Sequence, residues 1–161
     1  MIDEIDSKIL TILQDDARTS NAEIARRLAM APSAILERIR KLEHRGLIKG
    51  YEARLNPKAL ESGLLAFIFV LADERIGLDD AGQALAQMPE VQEVHHIAGE
   101  DCYLVKVRVA DTDALGDLLR QRFSAIGSIR STRTTIVLST IKETAQISLP
   151  STEKEDLSDA G

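Results

Sequence analysis

Apolar residues recur every three or four positions in three stretches of the N-terminal third of the chain, which is the spacing of helices that bury one face. The first predicted helix runs from Ile5 to Gln14 and the third from Pro32 to His44. The second begins at Asn21 and ends where Ala29 to Ala31 interrupt the pattern. Proline suits the first turn of a helix, so Pro32 agrees with the third start. The pattern therefore predicts a small three-helix domain.

The ends of these helices carry their own signals. Ser20 and Glu23 have the spacing of a capping box, in which each side chain accepts a hydrogen bond from the backbone amide of the other residue. Gly46 follows the third helix, where glycine commonly ends a helix. The next residues, Leu47 to Leu55, are predicted to be extended and to form a short wing.

The third predicted helix has an apolar stripe of Ile35, Ile39 and Leu42, and at 100° per residue its opposite side is polar. That side carries Ser33, Glu37, Arg40, Lys41 and His44, with Ala34 beside them. Two short helices joined by a tight turn, the second basic on its open side, are typical of a helix-turn-helix that enters the DNA major groove. An ordinary helical hairpin with a solvated charged face is the alternative that this local pattern leaves open.

After Gly63 the pattern changes to alternating strands and helices. Strands are predicted at Leu64–Ala72, Val91–Ala98, Tyr103–Val109 and from Ile129 to about Leu138, and helices at Asp79–Met88 and after Asp111. This β-α-β-β-α-β order predicts a ferredoxin-like domain. Because both helices of that fold cover one face and the first strand is apolar on both faces, a second copy of the chain is expected to cover the other.

The predicted fold class is therefore α+β, an N-terminal winged helix-turn-helix followed by a ferredoxin-like βαββαβ domain. Asn56-Pro57-Lys58 marks the connection, so the first domain is predicted to span residues 1–60 and the second residues 61–142. Residues 143–161 lose the apolar periodicity and become acidic, which predicts a disordered tail.

Charge supports the nucleic-acid interpretation only locally. The 161-residue chain has a formal net charge of −6, which by itself argues against DNA. Residues 26–54, however, hold eight basic side chains (Arg26, Arg27, Arg38, Arg40, Lys41, Arg45, Lys49, Arg54) against three acidic ones (Glu37, Glu43, Glu52). Contact with phosphate depends on charge within a Debye length of about 8 Å, so the acidic remainder does not prevent binding.

Three stretches of the chain resemble the Lrp/AsnC family of feast/famine transcriptional regulators. They are Ile2-Asp3-Glu4-Ile5-Asp6-Ser7-Lys8-Ile9-Leu10, then Asp16-Ala17-Arg18, and then Ile39 to Glu43 followed by Gly46 to Tyr51. The resemblance extends to about Lys142. It implies double-stranded DNA as a partner, a second domain that binds a small effector, usually an amino acid, between neighbouring dimers, and self-assembly into dimers and then tetramers or octamers.

The expected DNA-binding residues are Arg27, Ser33, Ala34, Glu37, Arg38, Arg40, Lys41 and Arg45. Ser33, Ala34 and Glu37 are expected to face base edges. The remaining basic residues are expected to meet phosphates, which fix register without reading sequence. Arg38 flanks the core stripe, so a structural pair with an acid is the alternative for it.

A second candidate site is the turn at Gly99, Glu100 and Asp101. Glycine lets backbone amides approach an anion and carboxylates hold an ammonium group, although a solvated β-turn would have the same sequence. The resemblance favours an effector site, which it places at Gly99, Glu100, Asp101, Tyr103, Arg130, Ser131, Thr132 and Thr134. The family commonly has aspartate just before the aromatic residue; here Cys102 stands there, so the effector's identity stays open.

Other classes of function find little support. His95 and His96 are adjacent on a strand and point to opposite faces, so no metal is expected, and no cofactor motif is present. The chain contains no catalytic constellation, so it is predicted not to be an enzyme. A single cysteine and no apolar run of roughly 18 residues favour the cytoplasm. Two alternatives remain open: a DNA-organising oligomer without an effector, and an enzyme on the ferredoxin-like domain.

Overall fold

The computed structural model describes residues 2–73 and 80–150, and the chain divides into two compact units. The first unit contains Met1–Arg54 together with the segment that begins at Glu143, and the second contains Leu55–Lys142. The division thus falls before Leu55, whereas the sequence placed it near residue 60.

The first unit is a three-helix domain, with α1 at Glu4–Asp15, α2 at Asn21–Leu28 and α3 at Pro32–His44. All three predicted helices are confirmed. Their apolar stripes meet in one core, whose most buried members are Ile9, Ile24, Ile35 and Leu42. The two helices α2 and α3, joined by three residues, form the helix-turn-helix.

The capping box is at a different helix from the one predicted. At α1, the Asp6 amide donates to the Asp3 carboxylate at 2.7 Å and the Asp3 amide donates to Asp6 at 3.5 Å. At α2 the predicted box is only half formed, because the Glu23 amide donates to the Ser20 hydroxyl at 3.2 Å while the Glu23 side chain binds arginines of its own helix. Charged partners one turn away thus outcompete the backbone amide.

The predicted wing is not a paired hairpin. Residues 49–56 contain neither helix nor strand, so the predicted extended segment has no strand partner among the described residues. The segment is instead tied to α3, because the Tyr51 hydroxyl donates to Glu43 at 2.9 Å. Partial burial, together with that carboxylate, raises the pKa of Tyr51 to about 12.

The predicted disordered tail is also corrected, for residues 143–150. Gln14 in α1 pairs with the backbone of Ile147, accepting from its amide at 2.8 Å and donating to its carbonyl at 3.1 Å. Gln146 donates to the carbonyl of Gln14 at 3.0 Å, and Leu149 packs against the helical core. This segment therefore belongs to the first unit. Residues 151–161 lie outside the described residues.

The second unit is the predicted ferredoxin-like domain. A 3₁₀ turn at Pro57–Leu60 leads into β1 (Leu64–Ala72), α4 (Asp80–Ala86), β2 (Val91–His96), β3 (Tyr103–Val109), α5 (Thr112–Asp117), a π-helical turn (Leu118–Phe123) and β4 (Ile129–Ile136). The antiparallel sheet has the order β2-β3-β1-β4. The predicted start of α4 at Asp79 lies outside the described residues.

The two faces of this sheet differ. On one face Ile68, Val70, Val105 and Val107 are fully buried against α4, α5 and the π-helical turn. The opposite face carries the intervening residues of β1, including Phe67, Phe69 and Leu71, which are only half-buried. No helix among the described residues is long and apolar enough to cross a membrane.

Candidate functional sites

The outer face of α3 has the composition that the periodicity predicted. Ser33, Glu37, Arg40, Lys41 and His44 are exposed, and Ala34 is half-buried beside them. Lys41 pairs with Glu37 at 2.9 Å, and this hydrogen bond lowers the pKa of Glu37 below its usual value. Within the described part of the chain Arg40 makes no ion pair. Its charge is thus available to a ligand.

Arg38 does not belong to that face. Its guanidinium lies 2.6 Å from the Asp3 carboxylate and 2.7 Å from that of Asp6. The Asp6 side chain is only 12% exposed, so Arg38 supplies the charge that makes its burial tolerable. The structure thus contains the pair with acids that was the alternative for Arg38, and its contact with DNA stays a prediction. Arg38 ties the start of α1 to α3.

Two further predicted DNA contacts lie at the edges of this surface. Arg27 is exposed near the end of α2 and pairs with Glu23 at 2.7 Å. Hydrogen bonds from Arg26, and then from Arg27, lower the pKa of Glu23 to about 2. Arg45 is exposed at the C-terminal cap of α3. Both arginines flank the exposed face of α3 in sequence and carry positive charge.

Sequence reasoning missed Leu36. This side chain is 36% exposed, on a helix whose other large apolar residues are buried. The available signal was that Leu36 lies outside the stripe of Ile35, Ile39 and Leu42.

The turn between β2 and β3 has the geometry expected of a glycine turn. Gly99 has a φ of +143°, a conformation that side chains disfavour. Asp101, three-quarters buried, pairs with Arg133 of β4 at 2.9 Å. The Arg133 guanidinium also lies 4.1 Å from the centroid of the Phe69 ring. Arg133 was not among the predicted site residues, since its contact with Asp101 spans two strands.

Tyr103 lies elsewhere than predicted. Its side chain is 2% exposed and is packed against α4, where a Cβ added to Gly82 would lie 2.7 Å from the tyrosine ring. The prediction that Tyr103 contacts an effector is therefore corrected: it is a core residue in this structure. Cys102 is half-buried and donates to the carbonyl of Ala72 at 3.3 Å.

The predicted residues of β4 do not form a single surface. Ser131 and Arg133 pair with Leu71 and Phe69 of β1, so they share the half-buried face of the sheet. Thr132 and Thr134 pair with Val70 and Ile68 and therefore lie on the helix side. Arg130 pairs with Asp73 at 3.3 Å. Glu100 is exposed in the turn.

The histidines behave as strand geometry requires. His95 pairs in register with Leu104 on the half-buried side, and His96 pairs with Tyr103 on the helix side. His95 lies 3.1 Å from Glu93, whereas the His96 ring lies 5.2 Å from that of Tyr103. The two neighbouring histidines thus lie in different environments, His95 beside a carboxylate and His96 beside an aromatic ring.

A helix-turn-helix with an exposed basic face, joined to a ferredoxin-like domain, defines the class of two-domain transcriptional regulators that bind DNA and a ligand. Two family models place the chain within this class. The AsnC-type helix-turn-helix domain matches residues 2–43, and the Lrp/AsnC ligand binding domain matches residues 65–147. The chain belongs to the Lrp/AsnC family of transcriptional regulators.

Relatives of known sequence and structure agree. The leucine-responsive regulatory protein of Escherichia coli K12 is 36% identical over 150 residues, which cover 91% of this chain and 90% of that protein. The chain is also similar to a feast or famine regulatory protein of Mycobacterium tuberculosis complexed with L-methionine, at 38% identity and a TM-score of 0.84, covering 91% and 99% of the two chains. A transcriptional regulator of Neisseria meningitidis in complex with L-methionine is 30% identical, with a TM-score of 0.84 and coverage of 92% and 97%.

Proposed function

We propose that the regulator binds operator DNA through the exposed face of α3, and that an amino acid bound by the second unit changes this binding. The observation that carries the first part is the polar face of α3, on which the Arg40 charge has no partner among the described residues. An isolated guanidinium on a recognition helix is suited to the phosphate backbone.

The residues divide by what they can contact. Arg40 and Arg45, with Arg27 from α2, would neutralise phosphates and hold α3 in register. Ser33 and Glu37 would face base edges, where the serine hydroxyl can donate or accept and the carboxylate can accept from the N4 amino group of cytosine. Ala34 allows close approach. Lys41 is already paired with Glu37, so its phosphate contact would compete with that pair.

Binding of the protein to its own upstream DNA, measured by fluorescence anisotropy over a salt series, tests this assignment. Arg40→Ala should weaken binding to every sequence and reduce the slope of log affinity against log salt by about 1. Arg120→Ala is the matched control, because Arg120 is also an exposed helical arginine, at 70%, but lies in the second unit. Equal salt slopes for the wild type and Arg40→Ala would refute the phosphate contact.

The effector proposal rests on opposite charges at one place. Asp101 can hold an ammonium group and Arg133 a carboxylate, so the pair has the two counter-charges of a zwitterionic amino acid. Backbone amides beside Gly99 and the hydroxyl of Ser131 are further donors near the same end of the sheet. Two related regulators have been solved with L-methionine, which supports an amino acid as the effector here.

Isothermal titration with L-methionine, and then with the other amino acids, tests the effector. Asp101→Asn should abolish the binding heat, whereas the control Asp117→Asn, an exposed acid of α5, should leave it unchanged. No heat with any amino acid, from a protein that still binds DNA, would favour a DNA-organising oligomer without an effector.

The half-buried sheet face supports self-association. Phe67, Phe69 and Leu71 line it, and a second copy that covers them would remove this apolar surface from water. We therefore assign the dimer contact to this face, with further assembly into tetramers or octamers, and place the regulator in the cytoplasm with the DNA. Phe67→Glu should lower the mass measured by light scattering; an unchanged mass would refute this contact.

A further inference from the structure

We propose that Leu36 is a specificity-determining residue that contacts the C5-methyl group of a thymine in the operator. The inference deepens the proposed function and rests on it, since it requires that α3 enters the major groove. It starts from the exposure of Leu36, which is 36%. Among the residues of α3, all of which the structure describes, it is the only large apolar side chain that is exposed.

The position of Leu36 on the helix places it beside polar residues that face outward. At about 100° per residue, its side chain leaves the helix about 40° from Arg40 and about 60° from Ser33. Ile35, Ile39 and Leu42 form the core, with exposures of 0%, 7% and 1%, and Ile39 lies about 60° from Leu36, so Leu36 stands between the core stripe and the polar face.

The surroundings of Leu36 are suited to nucleic acid. Leu36 and Arg40 line a surface groove of about 270 Å³ together with Thr19 and Asn21 at the start of α2. A guanidinium without a partner among the described residues favours phosphate oxygens, and Glu43, which also lines the groove, is occupied by the Tyr51 hydroxyl. When that guanidinium holds the DNA backbone, the neighbouring Leu36 side chain would lie beside the edges of the bases.

The chemistry of the major groove leaves one natural partner for this side chain. All four bases present hydrogen-bond donors or acceptors in the major groove, and thymine alone adds a methyl group, which an apolar side chain can contact. Burying one methyl or methylene group contributes about 0.8 kcal/mol, which is about fourfold in affinity. Leu36 would thus favour thymine at one position of each half-site by about that factor.

The alternative role is structural. Leu13, Ala17 and Tyr51 line the same groove, so Leu36 could serve only to cover them. A structural role would make Leu36→Ala less stable without changing which bases are preferred. The experiment must therefore measure base preference and not affinity alone.

The experiment has two stages. Duplexes that bind the full-length wild type are first enriched from a random library, and each thymine of the enriched duplex is then replaced singly by uracil, which removes only the methyl group. One uracil substitution should weaken wild-type binding about fourfold and leave Leu36→Ala unaffected. Leu36→Gln, of similar length, should likewise be insensitive, and it serves if Leu36→Ala does not fold. Leu60→Ala, which shortens a leucine 57% exposed in the second unit, should keep the wild-type pattern.

The outcomes separate the two proposals. If no sequence is enriched, sequence-specific binding fails, and the inference about Leu36 fails with it. If a sequence is enriched but no thymine is sensitive to loss of its methyl group, or if the sensitive thymine remains sensitive in both Leu36 variants, the proposed function stands and this inference is overturned.

Discussion

The contact of Arg38 with two carboxylates makes a quantitative prediction about the helix-turn-helix. Arg38→Met keeps most of the aliphatic stem and removes the charge, which leaves the Asp6 carboxylate, 12% exposed, without its cation. Breaking a fully buried ion pair costs about 3–5 kcal/mol and an exposed one about 0–1 kcal/mol. Arg38 is 30% exposed, so we expect a loss of about 2 kcal/mol.

The size of the first unit determines how far the melting temperature should fall. In a domain of this size, about 2 kcal/mol lowers the melting temperature by roughly 10 °C. Thermal and urea unfolding of the full-length protein, followed by circular dichroism at 222 nm, would report it, since α1, α2 and α3 provide much of the helical signal. Arg26→Met is the control, because its pair with Glu23 has an arginine side chain 74% exposed. That change should leave the melting temperature close to that of the wild type, because exposed ion pairs contribute little to stability.

A second substitution isolates the interaction. If the loss comes from the unpaired carboxylate, Asp6→Asn in the Arg38→Met background should restore part of the stability. An Arg38→Met protein as stable as the control, or one in which Asp6→Asn gives a further additive loss, would refute the reasoning.

The pH dependence has a definite sign. Hydrogen bonding, first from the Asp6 amide and then from Arg38, lowers the pKa of Asp3. Its contribution to stability is therefore present at neutral pH, above the unfolded pKa, and is lost as the pH falls through the folded pKa. Arg38→Met should show a smaller loss of stability between about pH 5 and pH 3 than the wild type.

Three further predictions concern other contacts. Gly82→Ala places a Cβ 2.7 Å from the Tyr103 ring, so it should destabilise the second unit by about 1–3 kcal/mol in urea titrations; an unchanged midpoint would contradict the packing. Gln14→Ala removes both side-chain hydrogen bonds to Ile147, so exchange of that amide should quicken about tenfold by mass spectrometry; equal exchange would show that the contact is weak. Tyr51 should ionise near pH 12 by absorbance at 295 nm in a Tyr103→Phe background, whereas ionisation near pH 10 would contradict its hydrogen bond with Glu43.

The sequence by itself determined the elements and their order. The bounds of α3, β1 and β3 were predicted to the residue, because α3 and β3 have clear apolar periods and β1 is a continuous apolar run of strand length that begins directly after Gly63. The polar side of α3 followed from the same period. The family resemblance, which the family models confirm, rested on short stretches of the first unit.

The tertiary structure decided the partners of individual side chains. Arg38 and Asp6 are separated by 32 residues, as are Arg133 and Asp101, and Gln14 and Ile147 by 133. The periodicity within one helix or strand does not specify which side chain, distant in sequence, will contact it. These contacts place Arg38 beside two acids, pair Arg133 with Asp101 and join the segment that begins at Glu143 to α1.

The same reason explains the local errors. Glu23 had the spacing of a capping box, but two arginines one turn away offered its carboxylate stronger, charge-assisted hydrogen bonds. Tyr103 lies next to a candidate turn in the sequence, yet strand alternation and the missing side chain of Gly82 direct its ring into the core. Sequence determines what each element can bury, whereas competition among all neighbours in space decides what each polar group contacts.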